Sequence, residues 1–107
     1  YIFFRQDATR GPNKIGLRQR EGWAAYQREE MLFVKYFDCV ADAEYPDGNV
    51  NSEYFSNEAM LEVESLGPLV SLQQDESASH TETWKLFAPV ARCESEADVD
   101  RLIKPLV

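Results

Sequence analysis

The chain has 107 residues, 44% hydrophobic and 12% aromatic, with a formal net charge of −8 from 11 basic and 19 acidic residues. That length and apolar content bound it to one domain with a real core, and exclude the composition of a disordered chain. The acidic balance excludes a phosphate-backbone partner, and no run approaches the roughly 18 apolar residues of a membrane helix.

No charged-then-apolar leader opens the chain, so the expectation is a soluble, cytoplasmic protein with no nucleic-acid or membrane partner. The bases gather early, at Arg5, Arg10, Lys14, Arg18, Arg20 and Arg28, which predicts a mildly polarised surface. Cys39 and Cys93 are too few and too far apart for a disulfide framework or a Cys-x-x-Cys metal site. Reduced, partly buried thiols are expected, with a single bridge as the alternative.

In chain order, Tyr1 to Gln6 reads as a short first strand, opening on Tyr1-Ile2-Phe3-Phe4 rather than on Met, which leaves open a trimmed chain, disordered early residues or a piece of something longer. A loop through Gly11-Pro12-Asn13 leads to a half-buried strand over Lys14 to Gln19, where Ile15 and Leu17 alternate with polar positions. Arg20-Glu21-Gly22 reads as a hairpin-like turn into a strand over Gly22 to Glu29. Met31 to Cys39 is apolar on both faces, Leu32, Val34 and Tyr36 against Met31, Phe33 and Phe37, as in a strand held between two layers. Tyr45-Pro46-Asp47-Gly48-Asn49 is a turn, because proline fixes φ and Asp-Gly accepts positive φ.

Asn51 to Ser56 is a further strand, closed by Asn57-Glu58. Leu61 to Leu72 reads as a strand, a turn at Gly67-Pro68 and a second apolar run. After a polar turn at Gln73-Gln74-Asp75-Glu76, Ser79 to Phe87 alternates as a strand that Pro89 ends. Ser95, with Asp98 three residues on, caps a helix whose apolar stripe is Val99, Leu102, Ile103 and Leu106. About seven short strands over residues 1–90 and a helix over about 95–104 predict one all-β, mainly antiparallel β-sandwich domain with one C-terminal helix.

Glutamate is a poor strand former, so Glu62 and Glu64 at i and i+2 in an apolar-alternating strand call for an explanation. They are either a solvated face or a pair that orients sugar hydroxyls, one of them a general base if burial raises its pKa. His80, the only histidine, shares a strand face with Glu82, a couple suited to acid–base work or to half of a metal site. With no second His or Cys nearby, no metal or cofactor is expected. No serine stands in a Gly-x-Ser-x-Gly elbow and there is no Gly-rich phosphate loop. Trp23, Tyr26, Tyr54 and Trp84 suit either a core or a surface that stacks on sugar rings.

Several segments in order carry a resemblance: Lys14-Ile15-Gly16, Gly22-Trp23-Ala24-Ala25-Tyr26, Phe33-Val34-Lys35, Tyr45-Pro46-Asp47, Ser52-Glu53-Tyr54, Leu61-Glu62-Val63-Glu64-Ser65-Leu66-Gly67-Pro68 and Glu82-Thr83-Trp84-Lys85-Leu86. Over about residues 12–90 the chain resembles the C-terminal half of an uncharacterised bacterial family in the galactose mutarotase-like (aldose 1-epimerase-like) superfamily. The resemblance implies half of a β-supersandwich whose concave face binds a carbohydrate. It implies Glu62 as the general base, with Glu64 in place of the glutamine two residues on. Glu76 matches the family's turn glutamate, with Gln74-Asp75 in place of its Pro-Gly. Glu53, Glu64, His80, Glu82 and Trp84 are the candidate ligand-binding residues.

The superfamily's catalytic histidines come from its N-terminal half, and His80 follows the base strand instead. A base without its acid contributes little ring-opening catalysis, so the expectation leans towards binding without catalysis. Three readings follow: a carbohydrate-binding module, a non-catalytic homodimerising interaction module whose unpaired edges pair with another copy, or a C-terminal fragment of a larger sugar epimerase-like protein.

Overall fold

A computed structural model describes residues 1–107. Six strands form: β1 (Asn13–Leu17), β2 (Trp23–Arg28), β3 (Met31–Phe37), β4 (Ser52–Ser56), β5 (Leu61–Ser65) and β6 (Glu82–Phe87). They make two three-stranded antiparallel sheets, ordered β1-β4-β5 and β2-β3-β6. The expected all-β class with one C-terminal helix is what the chain adopts.

β3 is the central strand of its sheet, as its two apolar faces predict. Leu32 and Val34 are fully buried on one side, and Lys35 and Phe37 are buried on the other. β2 and β3 form a tight hairpin through Glu29 and Glu30, with Arg28 opposite Met31 and Glu29 at φ 55°. The β4–β5 turn is held by Asn57, whose side-chain Oδ1 accepts from the Ala59 and Met60 amides at 2.8 and 2.9 Å. This is the local mimicry of a turn that asparagine offers.

Three expectations are corrected. Tyr1 to Gln6 forms no strand: it runs alongside the fold without a ladder, and Tyr1, Ile2 and Phe3 stay half exposed or more. The main chain of Tyr1 to Gln6 makes no hydrogen bond to either sheet, although the segment lines a cleft beside the β2 edge. The glutamate-bearing segment, by contrast, is strand over Leu61–Ser65 and leaves the ladder before Gly67-Pro68, as the strand-then-turn reading expects. Pro68 lacks an amide donor, and Leu69, Val70 and Leu72 beyond it are exposed. Second, only Glu82–Phe87 of the expected Ser79 to Phe87 strand is strand.

Third, Arg20-Glu21-Gly22 is not a hairpin. β1 and β2 belong to different sheets, and the chain crosses between them here with Gly22 at φ 69°. The crossing is tied by Asn51, fully buried, whose side chain accepts from the Gln19 amide at 2.6 Å and donates to the Gln19 carbonyl at 2.9 Å. A side-chain amide thus replaces one rung of a ladder.

The C-terminal helical segment, α1, comprises Glu96–Asp98, then Val99–Ile103 wound at π pitch and Lys104–Leu106 at 3-10 pitch. Ser95 caps it as expected, its Oγ accepting from the Asp98 amide at 3.2 Å. Hydrogen bonds from Arg101, Ser95 and the Glu94 amide hold the Asp98 carboxyl down to about 2. Val99 and Ile103 join Leu32, Val34 and Val90 in the main core cluster, with Leu102 and Leu106 packed against it. α1 therefore covers the Leu32–Val34 face of the β2-β3-β6 sheet.

The opposite face of that sheet is covered only in part, and the molecule is open for its size. Only 13 of 107 residues are buried, and the accessible surface is 7645 Å². A folded monomer of this mass exposes about 6100 Å². The radius of gyration is 15.6 Å, where a compact chain of this length gives about 13 Å.

Candidate functional site

The two sheets meet at a polar junction made by β3, β5 and β6. Lys35 arises from the middle of the most apolar strand and is 7% exposed. Its Nζ donates to the Val63 carbonyl of β5 at 2.7 Å and pairs with Glu82 Oε1 at 3.0 Å. Glu82 also accepts from the Ser65 hydroxyl, in a very short contact, and from Trp84 Nε1 at 2.8 Å. Burial alone would raise the Glu82 carboxyl, but the hydrogen bonds from Ser65, Lys35 and Trp84 outweigh it and hold the group below its ordinary value.

His80 completes the group, with Nε2 2.7 Å from Ser65 Oγ. A Ser–His contact invites a nucleophile–base reading, and proton accounting opposes it. Glu82 is ionised at neutral pH and can only accept, so the single Ser65 proton goes to Glu82. His80 Nε2 must then carry a proton and donate to Ser65 Oγ. A histidine that already donates to the hydroxyl cannot remove its proton. The cluster is a hydrogen-bonded clasp between sheets, with Glu82 as its common acceptor.

The clasp fixes Trp84. Its indole is bonded to Glu82 at one edge and stands edge-on to Phe33, centroids 5.6 Å apart at 81°. The ring is nonetheless 65% exposed. It belongs to an uncovered apolar strip, because Tyr26, Phe33 and Leu86 lie in register across β2, β3 and β6. Met31 flanks the strip at 55% exposure and Leu86 is 69% exposed.

The remaining sequence-predicted residues lie elsewhere. Rows Lys14–Phe55–Glu62 and Gly16–Glu53–Glu64 place Glu53, Glu62 and Glu64 on one face of the β1-β4-β5 sheet. Glu53 is buried and pairs with Lys14 Nζ at 2.6 Å, and that bond raises the Lys14 ammonium above its ordinary value. Leu61, Val63 and Ser65 point the other way, towards the second sheet. The structure thus brings His80, Glu82 and Trp84 together, and keeps Glu53, Glu62 and Glu64 apart from them on the far face. No three His, Cys, Asp or Glu side chains converge as a metal-holding group, and Cys39 and Cys93 are free thiols.

Lys35 and Ser65 are the site residues that sequence reasoning missed. The available signal was a lysine inside the run Met31 to Phe37, since a buried lysine needs a partner.

Comparison with family models, curated proteins and solved structures finds no match for this chain. No helix is long and apolar enough to cross a membrane.

Proposed function

We propose that this chain is a non-catalytic interaction module that pairs with a second copy of itself along β6. The observation that supports this is the uncovered apolar strip beside a free strand edge. Tyr26, Met31, Trp84 and Leu86 are all exposed and form an apolar patch that covers part of the ~800 Å² each partner gives a standard interface. Strand pairing at the edge supplies the rest.

The ladder fixes which backbone groups are free. The Phe37 amide donates to the Gly22 carbonyl at 2.9 Å, so Phe37, Lys35, Phe33 and Met31 turn towards β2. Tyr36, Val34 and Leu32 therefore turn towards β6 and engage Thr83, Lys85 and Phe87. Glu82, Trp84 and Leu86 are left with main-chain groups facing outward. A two-fold axis at Trp84 sets Trp84 against the partner's Trp84 and Thr83 against the partner's Lys85, making a continuous six-stranded sheet. An axis at Lys85 would oppose two lysines, so the Trp84 register is favoured.

Sedimentation equilibrium from micromolar to millimolar chain tests the reading. A dimer is expected, tighter at higher salt because two copies of net charge −8 repel. Leu86→Lys is expected to give a monomer. A wild-type monomer throughout, or a Leu86→Lys dimer of unchanged affinity, sinks the proposal.

A second reading, the carbohydrate binding that the mutarotase-like resemblance implies, is favoured by one observation: an exposed indole held rigid beside His80 and Glu82. Tryptophan fluorescence titrated with millimolar hexoses tests it, and an unchanged signal counts against a sugar platform on Trp84.

A further inference from the structure

The second free edge, β2, faces a different environment. A cleft of about 960 Å³ opens between β2 and the inner face of the β1-β4-β5 sheet. Leu17, Tyr54 and Val63 line it from one sheet, Trp23 and Ala25 from the other, Ile103 from α1, and the N-terminal segment Tyr1 to Gln6 flanks it without pairing to β2. By the alternation that the Gly22–Phe37 bond sets, Trp23, Ala25 and Gln27 turn their main-chain groups away from β3. The Trp23 carbonyl is taken by Gln19 Nε2. The amides and carbonyls of Ala25 and Gln27 have no partner strand.

The cleft is also cationic, on a chain whose net charge is −8. Its lining includes Arg5, Arg18, Arg20, Arg28, Arg92 and Lys104 against the two acids Glu21 and Glu29. Arg18 is committed to Asn49 and the carbonyls of Val40, Ala41 and Ala43, and Arg92 pairs with Glu94. Arg5, Arg20, Arg28 and Lys104 make no ion pair or side-chain hydrogen bond, leaving four free cations against two free acids. At physiological salt the screening length is about 8 Å, so a ligand in the cleft responds to this rim more than to the distant acidic surface.

We propose that this cleft captures an extended acidic peptide, which adds as a fourth strand to the β2 edge. Unpaired main-chain groups call for a backbone ligand, the apolar walls for alternate apolar side chains, and the free cations for carboxylates between them. Successive peptide residues point to opposite faces. One set continues the Trp23–Ala25 wall, and the other lies on the Arg28 side. β2 spans about 20 Å, so a segment of about six residues matches it. An acyl chain with an anionic head would also suit the walls and the charge. It would strip water from the Ala25 and Gln27 main chain without replacing the lost hydrogen bonds, so a peptide is favoured.

The test titrates the full chain, nitrogen-15 labelled, with an end-blocked heptapeptide alternating valine and glutamate. The expected result is binding at or below about 100 μM with slowed solvent exchange at the Ala25 and Gln27 amides. A lysine-for-glutamate peptide and one N-methylated at alternate amides are each expected to bind at least about 10-fold more weakly. Arg28 is exposed and unpartnered, so Arg28→Glu keeps the fold and is expected to weaken binding about 5-fold or more. No binding at millimolar peptide overturns the proposal, as does equal binding of the lysine peptide. Protection at Trp84 and Leu86 instead of Ala25 and Gln27 overturns the site. Sodium laurate shifting the cleft resonances where the peptide does not overturns the ligand class.

Discussion

Lys35→Met is the sharpest test of the polar junction that joins the sheets. The substitution keeps the unbranched apolar stem and removes the ammonium that bridges the Val63 carbonyl and Glu82. Removing one partner of a fully buried pair costs about 3–5 kcal/mol. The Lys35 side chain is 9% exposed but the Glu82 side chain is 21% exposed, so water reaches the abandoned carboxylate. Ser65 and Trp84 also continue to donate to it. The electrostatic loss is therefore nearer 1–2 kcal/mol, with about 1 kcal/mol more for the Val63 carbonyl. The net expectation is a loss of about 2–3 kcal/mol, a large share of the ~5–15 kcal/mol that holds a domain of this size. Urea unfolding followed by tryptophan fluorescence measures it, and a thermal scan should show Tm lowered by about 10–20 °C. Glu82→Gln keeps the shape and part of the hydrogen bonding, so a smaller loss of about 1 kcal/mol is expected. The double variant should then show a coupling energy of at least about 1 kcal/mol. A Lys35→Met loss below about 0.5 kcal/mol, or strict additivity with Glu82→Gln, would falsify the reading of this cluster as the inter-sheet clasp.

Gly22 sits at φ 69°, and a Cβ there would lie 2.6 Å from the Phe37 carbonyl oxygen. Gly22→Ala should destabilise by about 2–4 kcal/mol in urea unfolding, and a near-neutral change would refute the strained crossing. Ser95→Ala removes the cap of α1, which should cost about 1 kcal/mol and lower helical circular dichroism; unchanged signals would argue against the cap. The Glu82 carboxyl is held below its ordinary value of 4.5, so the stability it contributes is fully present above about pH 4.5 and drains as pH falls through its folded value. The urea midpoint should therefore fall between pH 6 and pH 3, and less steeply in Glu82→Gln; identical slopes would show that Glu82 is not the group responsible.

Local features were legible in the sequence, and features made by distant residues were not. β3 was legible because both its faces are apolar, and α1 because Ser95, Asp98 and the Val99–Ile103 spacing lie within ten residues. Tyr1 to Gln6 looked like a strand because apolar content does not say whether the main chain enters a ladder, and here it lines the β2 cleft without doing so. The β1–β2 turn looked like a hairpin because adjacency favours pairing. β1 instead pairs with β4, whose register places Ile15 opposite Tyr54. His80, Glu82 and Trp84 were legible as neighbours because they lie within five residues of one another, His80 just before β6 and the other two on it. Their function as a clasp was not, because Ser65 and Lys35 arrive from two other strands in two different sheets. The alternation that put Glu62 and Glu64 on one face was correctly visible. Alternation alone does not say which face meets the second sheet, and here Leu61, Val63 and Ser65 do.

The four sheet edges are not equivalent, and their differences argue for two distinct partners rather than general stickiness. The edge of β5 is blunted by Lys35, whose ammonium occupies the Val63 carbonyl. β1 follows Pro12 and carries Lys14, two features that discourage pairing. β6 carries Lys85 and β2 has its Trp23 carbonyl taken by Gln19. The outward main-chain groups of Trp84 and Leu86 on β6, and of Ala25 and Gln27 on β2, nonetheless have no partner. The β6 edge borders exposed Trp84 and Leu86 and no free cation cluster, which suits a self-complementary apolar contact. The β2 edge lies inside a cleft among Arg5, Arg20, Arg28 and Lys104, where a second acidic copy cannot seat its own sheet face without burying those charges. The two sites should therefore separate by mutation. Leu86→Lys is expected to abolish the dimer and leave peptide affinity within about 2-fold, and Arg28→Glu is expected to do the reverse. One substitution abolishing both would mean a single shared surface, and would refute the division of labour between the two edges.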